Sequence, residues 1–172
     1  MFDFKAFNPN RSFPVVILHW VVAVLFCVAT ISGFRIADTG WSGQGILTRP
    51  TLYSLHQTIG IVIVILLMIW FAIRVPRIMD NKLSMDKRFV AVYHLGMAGL
   101  GGLIAILGIV GLLVNGGQFD LLMLSKFRLD IFAKDPHTVV SIFSLHKALI
   151  SYFLGAVLFH FIGVLYHSTR FS

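Results

Sequence analysis

Apolar positions along the chain gather into four runs separated by polar stretches, and each run is long enough to cross a bilayer, for which about 20 apolar residues suffice. The first covers Pro14 to Phe34, the second Thr51 to Ile73, the third Phe89 to Val114 and the fourth Val139 to Tyr166. Proline disfavours a helical residue before it, so Pro50 and Pro76 are expected to fence the second run. The first run is longer than the roughly 7–15 residue core of a secretory signal. It also ends in Gly33 and Phe34 in place of a small-x-small cleavage site, so it reads as a retained helix. The third contains GMAGLGGLIAILGIVG, and glycine in a membrane helix lets a neighbouring backbone or a flat ligand come close. Polar connections run from Arg35 to Pro50, Arg74 to Arg88 and Asn115 to Thr138, the last with a Gly116-Gly117 break. With no repeat and no second domain, residues 1–172 are expected to form one all-α unit, an integral membrane bundle of four helices in up-down-up-down order.

Composition agrees with the pattern: 58% of residues are hydrophobic and 12% charged, with a mean hydropathy of +0.88, whereas soluble domains are about 25% charged. The formal charge of +7 would suggest nucleic acid in a soluble protein. In this chain the basic residues flank spans, where they meet lipid headgroups, and no nucleic-acid partner is expected. The N-terminus, second connection and C-terminus hold 8 Lys and Arg; the other two connections with Lys147 hold 6. That bias, with the dense RVPRIMDNKLSMDKR connection, predicts both termini on the inner, cytoplasmic side of the membrane.

Topology then fixes the depth of the histidines. An even number of alternating spans puts the start of the first helix level with the end of the fourth. His19 and His160 each lie roughly 8–9 Å inside those termini, level on the inner side. His56 and His146 form a second level pair near the outer side. His146 and His160 are fourteen positions apart on one helix, which leaves their rings about 40° apart in rotation and roughly 21 Å apart along the axis. A pair of neutral imidazoles from facing helices is what a b-type haem iron needs above and below its plane. Two level pairs predict two haems. Small residues near the ligands, Gly60, Ala23 and Ala156, are expected to leave room for the macrocycles. A membrane histidine can also serve only as hydrogen-bond glue between helices, worth about 1 kcal/mol, but that reading offers no reason for two level pairs. Cys27 is the single cysteine, so C-x-x-C-H is absent and haem attachment is expected to be non-covalent.

His94 reaches the same inner level as His19 and His160, and spacing alone leaves a three-way choice there. His137, beside Pro136, reads as a solvent-exposed residue without a ligand role, and His167 as an interfacial one.

Together, Leu18-His19-Trp20, Leu55-His56 with Gly60 and Arg74, Tyr93-His94-Leu95-Gly96, and Leu145-His146 with His160 and His167 resemble the bacterial four-helix dihaem cytochrome b561 family. That family includes a superoxide:ubiquinone oxidoreductase. The fourteen-residue spacing is also similar to that of the cytochrome b subunits of formate dehydrogenases. The resemblance covers nearly the whole chain. It implies His19 with His160 around the inner haem iron, His56 with His146 around the outer one, and no iron for His94. It further implies ubiquinone as acceptor at the inner end, where His94, Arg74 and His167 are candidates for its carbonyls and protons. Superoxide or another small donor, or a redox protein, is implied at the outer end, drawn by Arg35, Arg49, Lys126, Arg128, Lys134 and Lys147. Arg74 and Lys147 are candidate partners of haem propionates, and His94 is a candidate contact of quinone or propionate. Two six-coordinate irons have no open position for oxygen, so electron transfer is the expected activity. The alternative is a membrane anchor and electron conduit of a larger respiratory dehydrogenase, docked through Asn115 to Thr138.

Overall fold

The computed structural model describes residues 13–38, 48–79, 85–122 and 124–170. Four helices carry most of the chain: α1 (Phe13–Ala37), α2 (Arg49–Met79), α3 (Met85–Val114) and α4 (Pro136–Arg170). All four are long and apolar enough to cross a membrane, so the protein is an all-α, multi-pass membrane bundle. Each helix outruns its apolar segment by several residues, because polar ends continue the backbone ladder into the headgroup region. Pro50 sits in the first turn of α2, where a missing N–H costs nothing. Pro76 lies inside α2, three residues before its end at Met79, and so does not stop the helix where the sequence pattern predicts. The lost bond falls in the last turn, where the ladder is already running out.

Helix packing is uneven. The close pairs are α1 with α2, α2 with α3, and α3 with α4. Neither α1 with α4 nor α2 with α4 belongs to these close pairs, so the faces that look across the bundle at α4 stand apart. The buried apolar core is correspondingly small: Ile59, Ile63, Leu67 and Ala105 form its centre, with Phe26, Leu25 and Ala98 against it.

The third connection holds a feature that the hydrophobic pattern does not predict, an antiparallel hairpin of β1 (Gln118–Leu121) and β2 (Ser125–Arg128). It starts from a glycine C-cap on α3, where Gly117 N–H bonds Leu112 O at 2.9 Å. Gly117 has a φ of 61°, and a Cβ there would run into the backbone carbonyl of Leu129. Only glycine fits that approach. Phe119 and Phe127 stack across the strands at 5.1 Å.

The hairpin is tied to the N-terminal end of α2. Ser54, 1% exposed, donates to the Asp120 carbonyl at 3.1 Å and to Asp120 Oδ1 at 2.9 Å. Asp120 N–H donates to Gln57 Oε1 at 3.0 Å, and Leu122 N–H to Thr58 Oγ1 at 3.0 Å. Asp135 caps α4: its carboxylate accepts from the His137 N–H and the Thr138 hydroxyl, which hold it below the usual carboxylate range, the hydroxyl most strongly.

Candidate haem sites

Every seventh residue of each helix faces the bundle axis, and seven residues advance about 10.5 Å. This stacks three layers. In the layer nearest the hairpin, called outer after the expected orientation, Gly33 of α1, His56 of α2, Gly108 of α3 and His146 of α4 come together. In the middle layer Phe26 and Phe153 meet at 4.7 Å over Gly101, with buried Ile63 on α2 beside them. In the inner layer His19, His94 and His160 converge, and buried Trp70 is the α2 residue at that level.

In the outer layer His56 and His146 have ring centroids 6.2 Å apart and planes crossing at 79°. Each ring rests in a cradle made by the helix next to its own. His56 Nδ1 lies 3.0 Å from the carbonyl of Ala29, and Gly33, one turn on, faces the ring: a Cβ there would lie 3.1 Å from Cε1. His146 Nδ1 lies 2.8 Å from the carbonyl of Ile104, and a Cβ on Gly108, again one turn on, would lie 3.3 Å from Cε1. A carbonyl can only accept, so Nδ1 carries the proton in both rings and Nε2 keeps its lone pair. That is the tautomer a metal ligand needs.

In the inner layer His19 and His160 are also 6.2 Å apart, with planes at 68°. His94 is 4.8 Å from His160 and 6.4 Å from His19, its Nδ1 2.7 Å from the carbonyl of Val90 on its own helix. Tyr93 stacks on His160 at 6.5 Å while its hydroxyl donates to Ala156 O at 2.6 Å. Arg74 is half-buried within electrostatic reach of His94.

Two imidazoles on opposite faces of one metal, each with nitrogen about 2 Å from it, have centroids roughly 6–6.5 Å apart. Both 6.2 Å pairs meet that spacing. The 4.8 Å pair is too close for it, whereas His19 and His94 at 6.4 Å also satisfy it, so the inner layer keeps two geometric solutions. Among the described residues no three His, Cys or Asp side chains form a cluster able to hold a bare metal ion. Paired imidazoles suit instead a metal whose other ligands belong to a flat group. A Cβ on Gly60 would meet nothing within 4 Å, which leaves space beside His56.

Of the other residues singled out in the sequence, Lys147 is exposed on α4 next to His146, and His137 is exposed at the start of α4. Ala156 meets Tyr93 through its carbonyl, and Ala23 is half-buried. Arg49 donates to the Asp38 carbonyl, Arg128 pairs with Asp130 at 2.6 Å, and Lys126 stands 3.9 Å from Asp120. The His167 side chain lies outside the described part of the structure. Sequence spacing did not single out Ser32, Tyr93 as a partner of His160, or Gly33, and it flagged Gly108 only as part of the glycine-rich stretch of the third run. The i, i+4 relation of Ala29 with Gly33 and of Ile104 with Gly108 was the available signal.

A membrane bundle with imidazole pairs at 6.2 Å in two layers along its axis has the make-up of an intramembrane b-type cytochrome. The chain is a member of the prokaryotic cytochrome b561 family, whose model matches residues 10–171. It is thus a membrane cytochrome that binds haem b and works in electron transfer. A comparison with curated proteins finds no match.

Proposed function

We propose that the protein carries two haems b, one held by His19 and His160 and one by His56 and His146, and passes electrons inward across the membrane to ubiquinone. The observation that carries this reading is the repeated 6.2 Å imidazole pair with a level separation of fourteen residues on α4. Haem irons at those positions would supply one-electron carriers. The chain's own residues orient them: Ala29 and Ile104 carbonyls hold the outer rings, and Tyr93 stacks on His160. The Phe26–Phe153 pair over Gly101 keeps water out between the two layers.

The inner end takes ubiquinone, which gains two electrons and two protons. His94 Nε2 is free to carry a proton because Nδ1–H is bonded to Val90 O, and Arg74 beside it supplies a donor to a quinone or propionate oxygen. At the outer end the donor is superoxide or a comparable small anion. A cleft of about 440 Å³ between the hairpin and α2, lined by Gln57, Asp120, Lys126 and Arg128, opens there. Each superoxide gives up one electron and leaves as dioxygen, so two are consumed per quinone. Lys147, exposed beside His146, would pair with a propionate of the outer haem. The protein acts in the bacterial inner membrane with both termini cytoplasmic. A second reading, an electron conduit within a larger respiratory complex, draws support from exposed apolar residues outside the spans: Leu124 at 87%, Ile131 at 61% and Phe132 at 52%.

Extraction with acidified acetone and a pyridine haemochrome assay tests the haem assignment. Two non-covalent b haems per chain are expected. His19→Ala or His160→Ala should remove one haem, His56→Ala or His146→Ala the other, and His94→Ala neither. Loss of a haem in His94→Ala would give His94 the axial position instead of His160.

A further inference from the structure

Ser32 is 3% exposed, one of two buried polar side chains among the described residues, and its surroundings are unusual for a helical serine. Its hydroxyl donates back to the Ala29 carbonyl at 2.9 Å, the ordinary fate of serine in an apolar helix. The same oxygen lies 3.1 Å from His56 Nδ1, across the α1–α2 contact. His56 Nδ1–H donates to Ala29 O, and its proton is therefore shared between that carbonyl and Ser32 Oγ. Because Ser32 donates to the same carbonyl, the three groups close a small ring of hydrogen bonds. A hydroxyl that is itself donating is a stronger acceptor. The cradle of His146 lacks this arrangement: the residue in the place of Ser32, three beyond the accepting carbonyl of Ile104, is the apolar Leu107.

We propose that Ser32 is a positioning residue for the outer haem, sharing the Nδ1–H of His56 with Ala29 and so setting how strongly that imidazole donates to iron. The proposal rests on His56 being an axial ligand. A hydrogen bond from the far nitrogen gives the ring more imidazolate character and raises its basicity as a ligand. This favours ferric over ferrous iron and lowers the outer midpoint potential. The hydroxyl oxygen, the negative end of a buried dipole, faces the same ring and acts in the same direction. His56 therefore receives two acceptors and His146 one.

The test is a redox titration of the purified, haem-loaded protein with the two haems resolved optically. Ser32→Ala should keep both haems and raise the outer potential by a several-fold change in the ferric–ferrous equilibrium. A tenfold change corresponds to about 59 mV for one electron. The inner potential should not move, and Ser32→Thr, which keeps the hydroxyl, should restore the outer one. Redox-difference infrared spectra should show the His56 ring modes shifted as its Nδ1–H loses an acceptor. An unchanged outer potential in loaded Ser32→Ala overturns the proposal, as does an equal shift of both haems. Should Ser32→Ala not load its outer haem, Leu107→Ser decides the matter, a fall in outer potential supporting the proposal and no change overturning it. His56→Ala separates the two levels of inference: retention of the outer haem there refutes the ligand assignment itself, independently of Ser32.

Discussion

The imidazole of His56 and that of His146 are each held by the same device, a carbonyl at one position of the neighbouring helix and a glycine one turn later. The carbonyl fixes the tautomer and the glycine lets the ring approach, so the placement of each ring depends on an atom that is missing from the side chain. Replacing Gly33 with leucine places carbon where the ring now lies, only 3.1 Å from a Cβ position. Gly33→Leu should abolish outer haem binding and spare the inner haem, as read from haem stoichiometry and the remaining optical band. At Gly101 a Cβ would lie 2.5 Å from Phe26 Cζ and 3.2 Å from Phe153. Gly101→Ala should therefore cost about 1–3 kcal/mol through overpacking, seen as a lower melting temperature with both haems present. Asp135 gives a pH-dependent contribution with a definite sign. Its folded carboxyl is more acidic than an unfolded one, so its stabilisation is complete above the unfolded value of about 3.9 and disappears as pH falls through the folded value. Asp135→Ala should remove that dependence from hydrogen exchange in the first turn of α4.

At the scale of elements, the hairpin between α3 and α4 makes its strongest contacts with α2, at Ser54, Gln57 and Thr58, which bracket His56. The clamp therefore braces the segment that carries one outer ring. Its two charged-group contacts differ in worth. Asp120 accepts from the buried Ser54 hydroxyl, whereas Lys126, 76% exposed, reaches Asp120 only at 3.9 Å. Asp120→Ala should lower stability by about 1 kcal/mol, since Ser54 keeps the Asp120 carbonyl as an acceptor. Lys126→Ala should leave the melting temperature nearly unchanged, because exposed ion pairs contribute little. Gly117→Ala should be the most damaging change in this region, since both the positive φ and the Leu129 carbonyl exclude a side chain. Proteolysis or hydrogen exchange localised to the hairpin would register it.

For the whole molecule, the layers of rings, phenylalanines and rings line up along the bundle axis, and the direction of the proposed electron path depends on orientation in the membrane. The excess of basic residues beside the second connection predicts that connection on the cytoplasmic side. In a Cys27→Ser background, cysteine placed at Ser125 should react with an impermeant reagent from outside, and cysteine at Ser84 should not. The reverse pattern would invert the direction of electron flow. Haem binding and quinone chemistry should also separate. Pre-reduced His94→Ala should keep its haem spectrum while its reoxidation by ubiquinone slows in stopped flow. A wild-type rate in both His94→Ala and Arg74→Ala would move the quinone exit elsewhere and favour the conduit reading.

The four spans, the level pairing of the histidines and the fourteen-residue spacing on the fourth helix were legible in the chain because hydropathy and rise per residue are properties of one dimension, whereas the seven-residue layering across all four helices needed the structure. Once the spans alternate, counting residues places His19 level with His160 and His56 level with His146, with no knowledge of which helices touch. Helix rotation and neighbour order are different. A helix in lipid is apolar on every side, so no polar face marks its orientation, and small-residue contacts set its packing. For that reason the sequence pointed to Gly60 on the histidine's own helix and to the glycine-rich third run as a whole, while the tertiary structure brought Gly33 and Gly108 in particular from adjacent helices against the rings. The same cause hid the Ser32 contact and left open how closely His94, already placed level with His160, approaches it. The hairpin stayed hidden because its strands of four residues each carry too little periodicity to read, and it is held by side chains of α2 more than sixty positions away.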